Sequence, residues 1–138
     1  MSSPAKLAVV AVGGNALIRD EQHRTIADQY DTARETVGYV ADLIESGWRV
    51  VFTHGSGPQM GYILRRSELA LHEVIPVPMD YAGADLQGAL GYMFVKALRN
   101  EFRRRGAKRE AVAVVTQVLV DREDPAIRKP TNPKGSDR

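Results

Sequence analysis

The sequence predicts an α/β protein with a mainly parallel sheet, because two apolar runs of strand length flank a segment with helical periodicity. The runs are residues 7–12 (LAVVAV) and 49–53 (RVVFT), and such runs are typical of strands covered on both faces. Between them, apolar residues recur every three or four positions, at Ile26, Tyr30, Ala33, Val37, Val40 and Ile44. Gly47 follows as a C-terminal helix cap. This order predicts a βαβ unit.

Two more helices and a third strand are predicted after this unit. Pro58 suits the first turn of a second helix, which should end before Pro76. Asp80 is expected to cap a third helix from about residue 81 to 104. The apolar run at residues 111–120 (AVAVVTQVLV) is interpreted as the third strand.

Length and composition indicate one globular unit. The 138 residues are 43% hydrophobic and 26% charged, as in ordinary soluble domains with one core. No apolar run approaches the ~20 residues that span a bilayer, and residues 1–6 contain no signal-peptide core. We therefore expect a cytoplasmic protein that does not bind a membrane.

The chain contains no cysteine, which excludes disulfides, thiolate metal sites and cysteine nucleophiles. Its formal charge is only +2, and much of the excess is a basic cluster near a predicted helix end: Arg99, Arg103, Arg104, Arg105, Lys108 and Arg109. Cations there complement the helix dipole, so a solvated helix end is favoured over a nucleic-acid surface.

The composition changes at residue 121. Residues 121–138 (DREDPAIRKPTNPKGSDR) contain three prolines, nine charged side chains and almost no apolar residue, so they cannot contribute a core. We divide the chain into a folded lobe at residues 1–120 and a polar, proline-rich connector or lid at 121–138. A complete domain more often ends on a packed element, so the sequence is interpreted as one half of a larger architecture.

Both predicted strands of the βαβ unit run directly into glycines. The first is followed by Gly13, Gly14 and Asn15, and the second by His54, Gly55, Ser56 and Gly57. The carboxyl ends of parallel strands meet at one edge of a sheet. Glycine there lets backbone N–H groups converge on an anion, and a following helix adds the positive end of its dipole. The pair predicts an oxyanion site, with phosphate as its natural ligand; the alternative is two tight turns that bind nothing.

The junctions match neither of two common phosphate motifs. The P-loop pattern is absent, and Gly55, Gly57 and Gly61 lack the spacing of the dinucleotide fingerprint.

Other polar residues are weaker candidates for the site. His54 could contact substrate or be a structural hydrogen-bonding residue. Asp80 and Asp85 could form a carboxylate pair, but helix capping and solvent exposure explain them equally well. No metal site is predicted.

Four segments, taken together, resemble the N-terminal half of the carbamate kinases, in the amino acid kinase family. They are VAVGGNALI, THGSGPQMG, MDYAGADLQGALGYM and VTQVLVDREDP, and the resemblance runs from about Leu7 to Gly135. The related acetylglutamate kinases are less similar, because they carry a lysine where this chain has Ala11.

The resemblance implies a three-layer αβα sandwich, a homodimer and reversible phosphoryl transfer from ATP to carbamate, giving ADP and carbamoyl phosphate with Mg²⁺. It also implies a pathway context in arginine metabolism. The residues that it places at the phosphoryl-transfer site are Gly13, Gly14, Asn15, Gly55 and Gly57, with His54 and Ser56 joining them in substrate binding. The family holds the adenine nucleotide mainly in its C-terminal half, which this sequence lacks.

Three positions depart from the family pattern. Ser56 replaces the usual asparagine of HGNGPQ, a change that a hydroxyl can tolerate. In the possible lid, Asn132 stands where the family has a site lysine, and Lys134 where it has an apolar residue.

Three functions remain open: the N-terminal half of a carbamate kinase, a silent anion-binding or assembly module, and a related kinase with another small carboxylate acceptor.

Overall fold

The computed structural model describes residues 6–130, and its sheet contains two parallel strands, β1 (Lys6–Val12) and β2 (Trp48–His54). The strands are paired along their full lengths, and the last residue of β1 is the partner of the last residue of β2. The Gly55 N–H extends the ladder by donating to the Val12 carbonyl at 2.7 Å. Both glycine junctions therefore begin at the same edge of the sheet.

Helix α1 (Ile26–Glu45) connects the two strands. It begins with a capping box in which Thr25 and Asp28 exchange side-chain and backbone hydrogen bonds. The bond donated by the Thr25 hydroxyl is the main reason why the pKa of Asp28 is lowered. The helix ends at Glu45, and Gly47, two residues later, has a φ of 87° that favours glycine. The predicted apolar stripe is confirmed in the middle of the helix, where Ala33, Val37 and Val40 are buried. It fails in the first turn, where Ile26 is 71% exposed.

Three more helices follow: α2 (Gly57–Leu69), α3 (Met79–Arg104) and the short α4 (Pro125–Arg128). The prediction that Asp80 caps α3 is wrong. Pro78, with extended backbone angles, is the N-cap, and Asp80 lies in the first turn, where its carboxylate still complements the helix dipole.

The core forms where α1 and α3 pack against each other and against one face of the sheet. Phe52 of β2 packs on Phe94 of α3, with ring centroids 4.6 Å apart. The buried cluster consists of Leu17, Ala33, Val37, Leu90, Met93, Phe94 and Ala97. The structure thus confirms the α/β class, and its parallel sheet is the one that the βαβ pattern predicts.

The opposite face of the sheet is exposed within residues 6–130. Leu7 is 58% exposed, Val9 67% and Val51 48%. The expectation that both strands are covered on both faces therefore fails for this part of the chain. The reason is topological: α1 and α3 lie on the same side, so every second strand residue faces solvent.

The predicted third strand is also wrong. Residues 111–120 belong to no sheet, and their side chains are mostly exposed, with Leu119 fully so. The backbone of Thr116 instead bonds the side chain of Gln87 on α3, with its N–H donating to Oε1 at 2.7 Å and its carbonyl accepting from Nε2 at 3.1 Å. An apolar run becomes a strand only when it pairs with another strand, and residues 111–120 pair with neither β1 nor β2.

The remaining polar segment is exposed throughout its described part, residues 121–130. Asp124 caps the single turn of α4 by accepting a hydrogen bond from the Ala126 N–H. Asn132 and Lys134 lie outside the described residues. No helix between residues 6 and 130 is long and apolar enough to cross a membrane.

Candidate anion-binding site

The two glycine junctions lie against each other. β1 leads into a 3₁₀ helix at Gly14–Leu17, and β2 leads into α2. A Cβ atom added to Gly14 would lie 2.7 Å from the backbone nitrogen of Gly57 and 2.9 Å from that of Ser56. One added to Gly55 would lie 3.0 Å from the nitrogen of Gly14. The close approach of the two loops therefore requires glycine at position 14 and leaves little room for a side chain at position 55.

Steric need does not explain the other two glycines. A Cβ atom on Gly13 or Gly57 would have no neighbour within 4 Å, and neither residue has a positive φ. Both are exposed at the surface of the junction. Their small size leaves the backbone open on that side.

Several backbone donors are left free where the loops meet. Within residues 6–130, the N–H groups of Gly14, Ser56 and Gly57 donate to no acceptor. Ser56 is the N-cap of α2 but its side chain does not cap the helix, and the next residue in α2 after Gly57 is Pro58, which has no N–H. The junction thus combines free donors with the positive end of a 13-residue helix. That is the chemistry that binds an anion.

The polar side chains of the predicted site take different positions. Asn15 is exposed on the 3₁₀ helix. His54 is half-buried on the helix side of the sheet, where its ring packs on Phe94 with centroids 5.8 Å apart. Its Nδ1 lies 3.4 Å from the Gly55 carbonyl oxygen. This placement favours the structural interpretation of His54.

Gln59, which no sequence pattern identified, is 5% exposed and is the buried residue of α2. Its Nε2 donates to the Gly14 carbonyl at 3.3 Å and to Oε1 of Gln29 at 2.9 Å. The sequence contained one indirect signal for this bond. Gln29 precedes Tyr30 of the apolar stripe and is buried on α1, so its polar side chain needs a partner elsewhere in the fold. A buried amide needs a partner, and the two glutamines satisfy each other.

The described residues provide no metal centre. No group of three His, Asp or Glu side chains between residues 6 and 130 could hold an ion. Of the two carboxylates considered as a pair, Asp80 lies in the first turn of α3 and Asp85 is exposed on the same helix. This part of the chain therefore does not fit a bound Mg²⁺ on its own.

Sequence comparison finds carbamate kinases among the relatives of this chain, and no protein-family model matches it. The chain is 46% identical over 129 residues to the carbamate kinase of Pyrococcus horikoshii, covering 92% of this chain and 41% of that protein. It is 42% identical over 132 residues to the carbamate kinase of Pyrococcus furiosus, covering 94% and 42%. The chain thus spans about two fifths of the length of the curated relatives that it matches.

Structural comparison leads to the same family. The carbamate kinase of Giardia lamblia bound to AMP-PNP matches with a TM-score of 0.89 at 32% identity, covering 94% of this chain and 41% of that one. Fold and sequence therefore agree over nearly all of this chain. It is a carbamate kinase homologue that corresponds to the N-terminal half of such a protein.

Proposed function

We propose that this chain provides the carbamate-binding and phosphoryl-transfer half of a carbamate kinase. The reaction is the reversible transfer of the γ-phosphoryl group of ATP to a carbamate oxygen, which gives ADP and carbamoyl phosphate. The observation that carries the proposal is the meeting of free backbone donors from two strand ends, at Gly14, Ser56 and Gly57.

The chemistry needs little covalent help from the protein. Phosphoryl transfer depends on alignment of donor and acceptor and on stabilisation of charge on the moving group. Fixed backbone N–H groups supply that stabilisation without reorganising during the reaction. In this proposal, Gly13–Asn15 contact the group on one side and Gly55–Gly57 on the other, with the Ser56 hydroxyl as a further hydrogen-bonding group.

ATP and Mg²⁺ are proposed as co-substrate and cofactor. The Giardia lamblia relative binds AMP-PNP, and Mg²⁺, when bound, neutralises phosphate charge. Because the family that this chain resembles holds the adenine nucleotide mainly in its C-terminal half, we assign the nucleotide to such a half. Asn132 and Lys134 are proposed to belong to a lid, and the protein is proposed to act as a cytoplasmic homodimer.

Two measurements test the proposal. In an NMR titration of the 138-residue chain, carbamoyl phosphate and inorganic phosphate should shift the amide signals of Gly14, Ser56 and Gly57. In a coupled assay for ATP formation from carbamoyl phosphate and ADP, the chain alone should be inactive, whereas a chain extended with a carbamate kinase C-terminal half should turn over. Asn132→Lys should raise that activity, since one well-placed donor contributes on the order of a hundredfold in rate.

Each outcome has a defined meaning. Unshifted amides at the two junctions would remove the anion site. Robust turnover by the short chain would show that it is not half of an active site. Binding without turnover in the extended protein would favour a silent anion-binding module, and ATP formation from acetyl phosphate but not from carbamoyl phosphate would favour a different acceptor.

A further inference from the structure

We infer that Gln59 is a positioning residue that holds the first glycine junction against the start of α2. It belongs to α2, yet its side chain bonds the Gly14 carbonyl in the 3₁₀ helix and Gln29 in α1. One amide thus joins the three elements around the candidate site. The inference deepens the proposed function, because it concerns how that same site is held in shape.

The direction of this amide is set by a chain of hydrogen bonds. Nε2 of Gln29 donates to the Arg24 carbonyl at 3.0 Å, and a carbonyl can only accept. Oε1 of Gln29 is therefore turned toward Gln59, whose Nε2 uses its two hydrogens on Gln29 and Gly14. A flipped Gln59 amide would set its own oxygen against two other oxygens.

The same orientation leaves Oε1 of Gln59 buried without a partner. An unpaired buried acceptor destabilises a fold, and such atoms are uncommon in native proteins. This unpaired oxygen lies where the two junctions meet, 3.0 Å from the position that a Cβ atom on Gly14 would take. The unpaired atom is a consequence of directing Nε2 at the loop.

The bond to Gly14 has a geometric effect on the loop's donors. The peptide between Gly14 and Asn15 is planar and trans, so holding the carbonyl toward Gln59 turns the Asn15 N–H the opposite way. No acceptor within residues 6–130 takes up that N–H. Gln59 therefore directs a free donor of the loop outward from the protein interior.

The test compares Gln59→Met and Gln29→Met with Gln87→Met as the matched control. Gln87 also makes amide bonds to backbone, but to Thr116 and away from the junctions. Amide hydrogen exchange is measured at Ala16 and Ile18, whose N–H groups are bonded within the 3₁₀ loop. Phosphate affinity is measured by NMR titration of the 138-residue chain.

Gln59→Met should speed exchange at Ala16 and Ile18 about tenfold by freeing the loop, and should weaken phosphate binding about tenfold. Gln29→Met should change both in the same direction but less, and it provides the test if the first variant fails to fold. The double variant should be no worse than Gln59→Met, because Gln29 acts through Gln59. Gln87→Met should leave both measurements unchanged.

Unchanged exchange and phosphate affinity in Gln59→Met, with only a lower melting temperature, would overturn the inference and leave a structural role. If the wild-type chain binds no phosphate, the proposed function fails, while the exchange rates still decide whether Gln59 holds the loop. An equal effect of Gln87→Met would show that general loosening is responsible.

Discussion

Arg105, the residue that follows α3, bonds Asp42 on α1, with Nη1 2.6 Å from Oδ1. The same guanidinium contacts Glu45 at 2.8 Å, Glu101 at 2.6 Å and the Gly38 carbonyl at 3.1 Å. Its side chain is only 17% exposed. These bonds, led by the one to Asp42, raise the pKa of Arg105, so it stays charged while it ties the ends of the two core helices together.

Replacing Arg105 should destabilise the fold far more than replacing its neighbour. Arg105→Met removes several charge-assisted bonds from a mostly covered side chain, and we expect a clear loss in the free energy of unfolding. Arg104→Met is the matched control, since Arg104 is 69% exposed and pairs with Glu101 on its own helix; its effect should be several-fold smaller. Urea denaturation of the two variants measures both, and equal losses would contradict the assignment.

The network also predicts how stability depends on pH. Hydrogen bonds from Arg104 and then Arg105 lower the pKa of Glu101 from 4.5 to about 2. Because the folded pKa lies below the unfolded one, Glu101 contributes stability above pH 4.5 that is lost as pH falls toward 2. Glu101→Gln should remove part of this acid sensitivity. Denaturation midpoints that fall with pH equally in Glu101→Gln and in the wild type would contradict the prediction.

At the site, Gly14→Ala should separate the two junctions. The added methyl group would lie 2.7 Å from the nitrogen of Gly57, a distance that only a backbone shift relieves. We expect a lower melting temperature and phosphate binding weakened at least about tenfold, since an overpacked position costs roughly 1–3 kcal/mol. Calorimetry and NMR titration measure the two effects.

The control for that change is Gly38→Ala in α1, where an added Cβ meets nothing within 4 Å. Alanine favours a helix interior over glycine by about 1 kcal/mol, so this variant should melt slightly higher and bind phosphate as the wild type does. Normal phosphate affinity in Gly14→Ala would mean that the approach of the loops does not matter for binding.

The parts of the fold that the sequence predicted are those with local causes. Apolar periodicity places α1, and the glycine after it adopts the positive φ expected of a helix end. Parallel pairing follows from strand, helix and strand in that order, and it brings the two glycine junctions to one edge. Each strand or helix in this order has its own signal within about 20 residues of chain, where sequence pattern and structure are directly related.

The parts that could not be predicted depend on contacts distant in sequence. Residues 111–120 have strand-like composition, but Thr116 is bonded by Gln87 instead of by a strand. The bonds from Gln59 to Gln29 and from Arg105 to Asp42 join positions 30 and 63 residues apart. No local pattern shows which polar side chains will meet after folding, so these residues are identified only in three dimensions.

Self-association through α3 is the last prediction. Small residues recur in the segment from Met79 to Leu98, a pattern that allows close packing against another chain, and the helix exposes a broad face there. Tyr81 is 66% and Tyr92 67% exposed, and Gly88 lies exposed between them with open space around it. Large exposed aromatic side chains beside small residues are typical of surfaces that bind another protein.

Tyr92→Arg should weaken dimerisation at least about tenfold, because tyrosines at the centre of an interface often contribute more than ~1.4 kcal/mol and an arginine facing its own copy adds repulsion. Tyr39→Arg is the control: Tyr39 is 75% exposed, but it lies on α1 outside this face. Sedimentation equilibrium should find dimers for the wild type and Tyr39→Arg, and mainly monomers for Tyr92→Arg. A well-folded wild-type monomer at high micromolar concentration would exclude this surface, and a monomeric Tyr39→Arg variant would move the contact to α1.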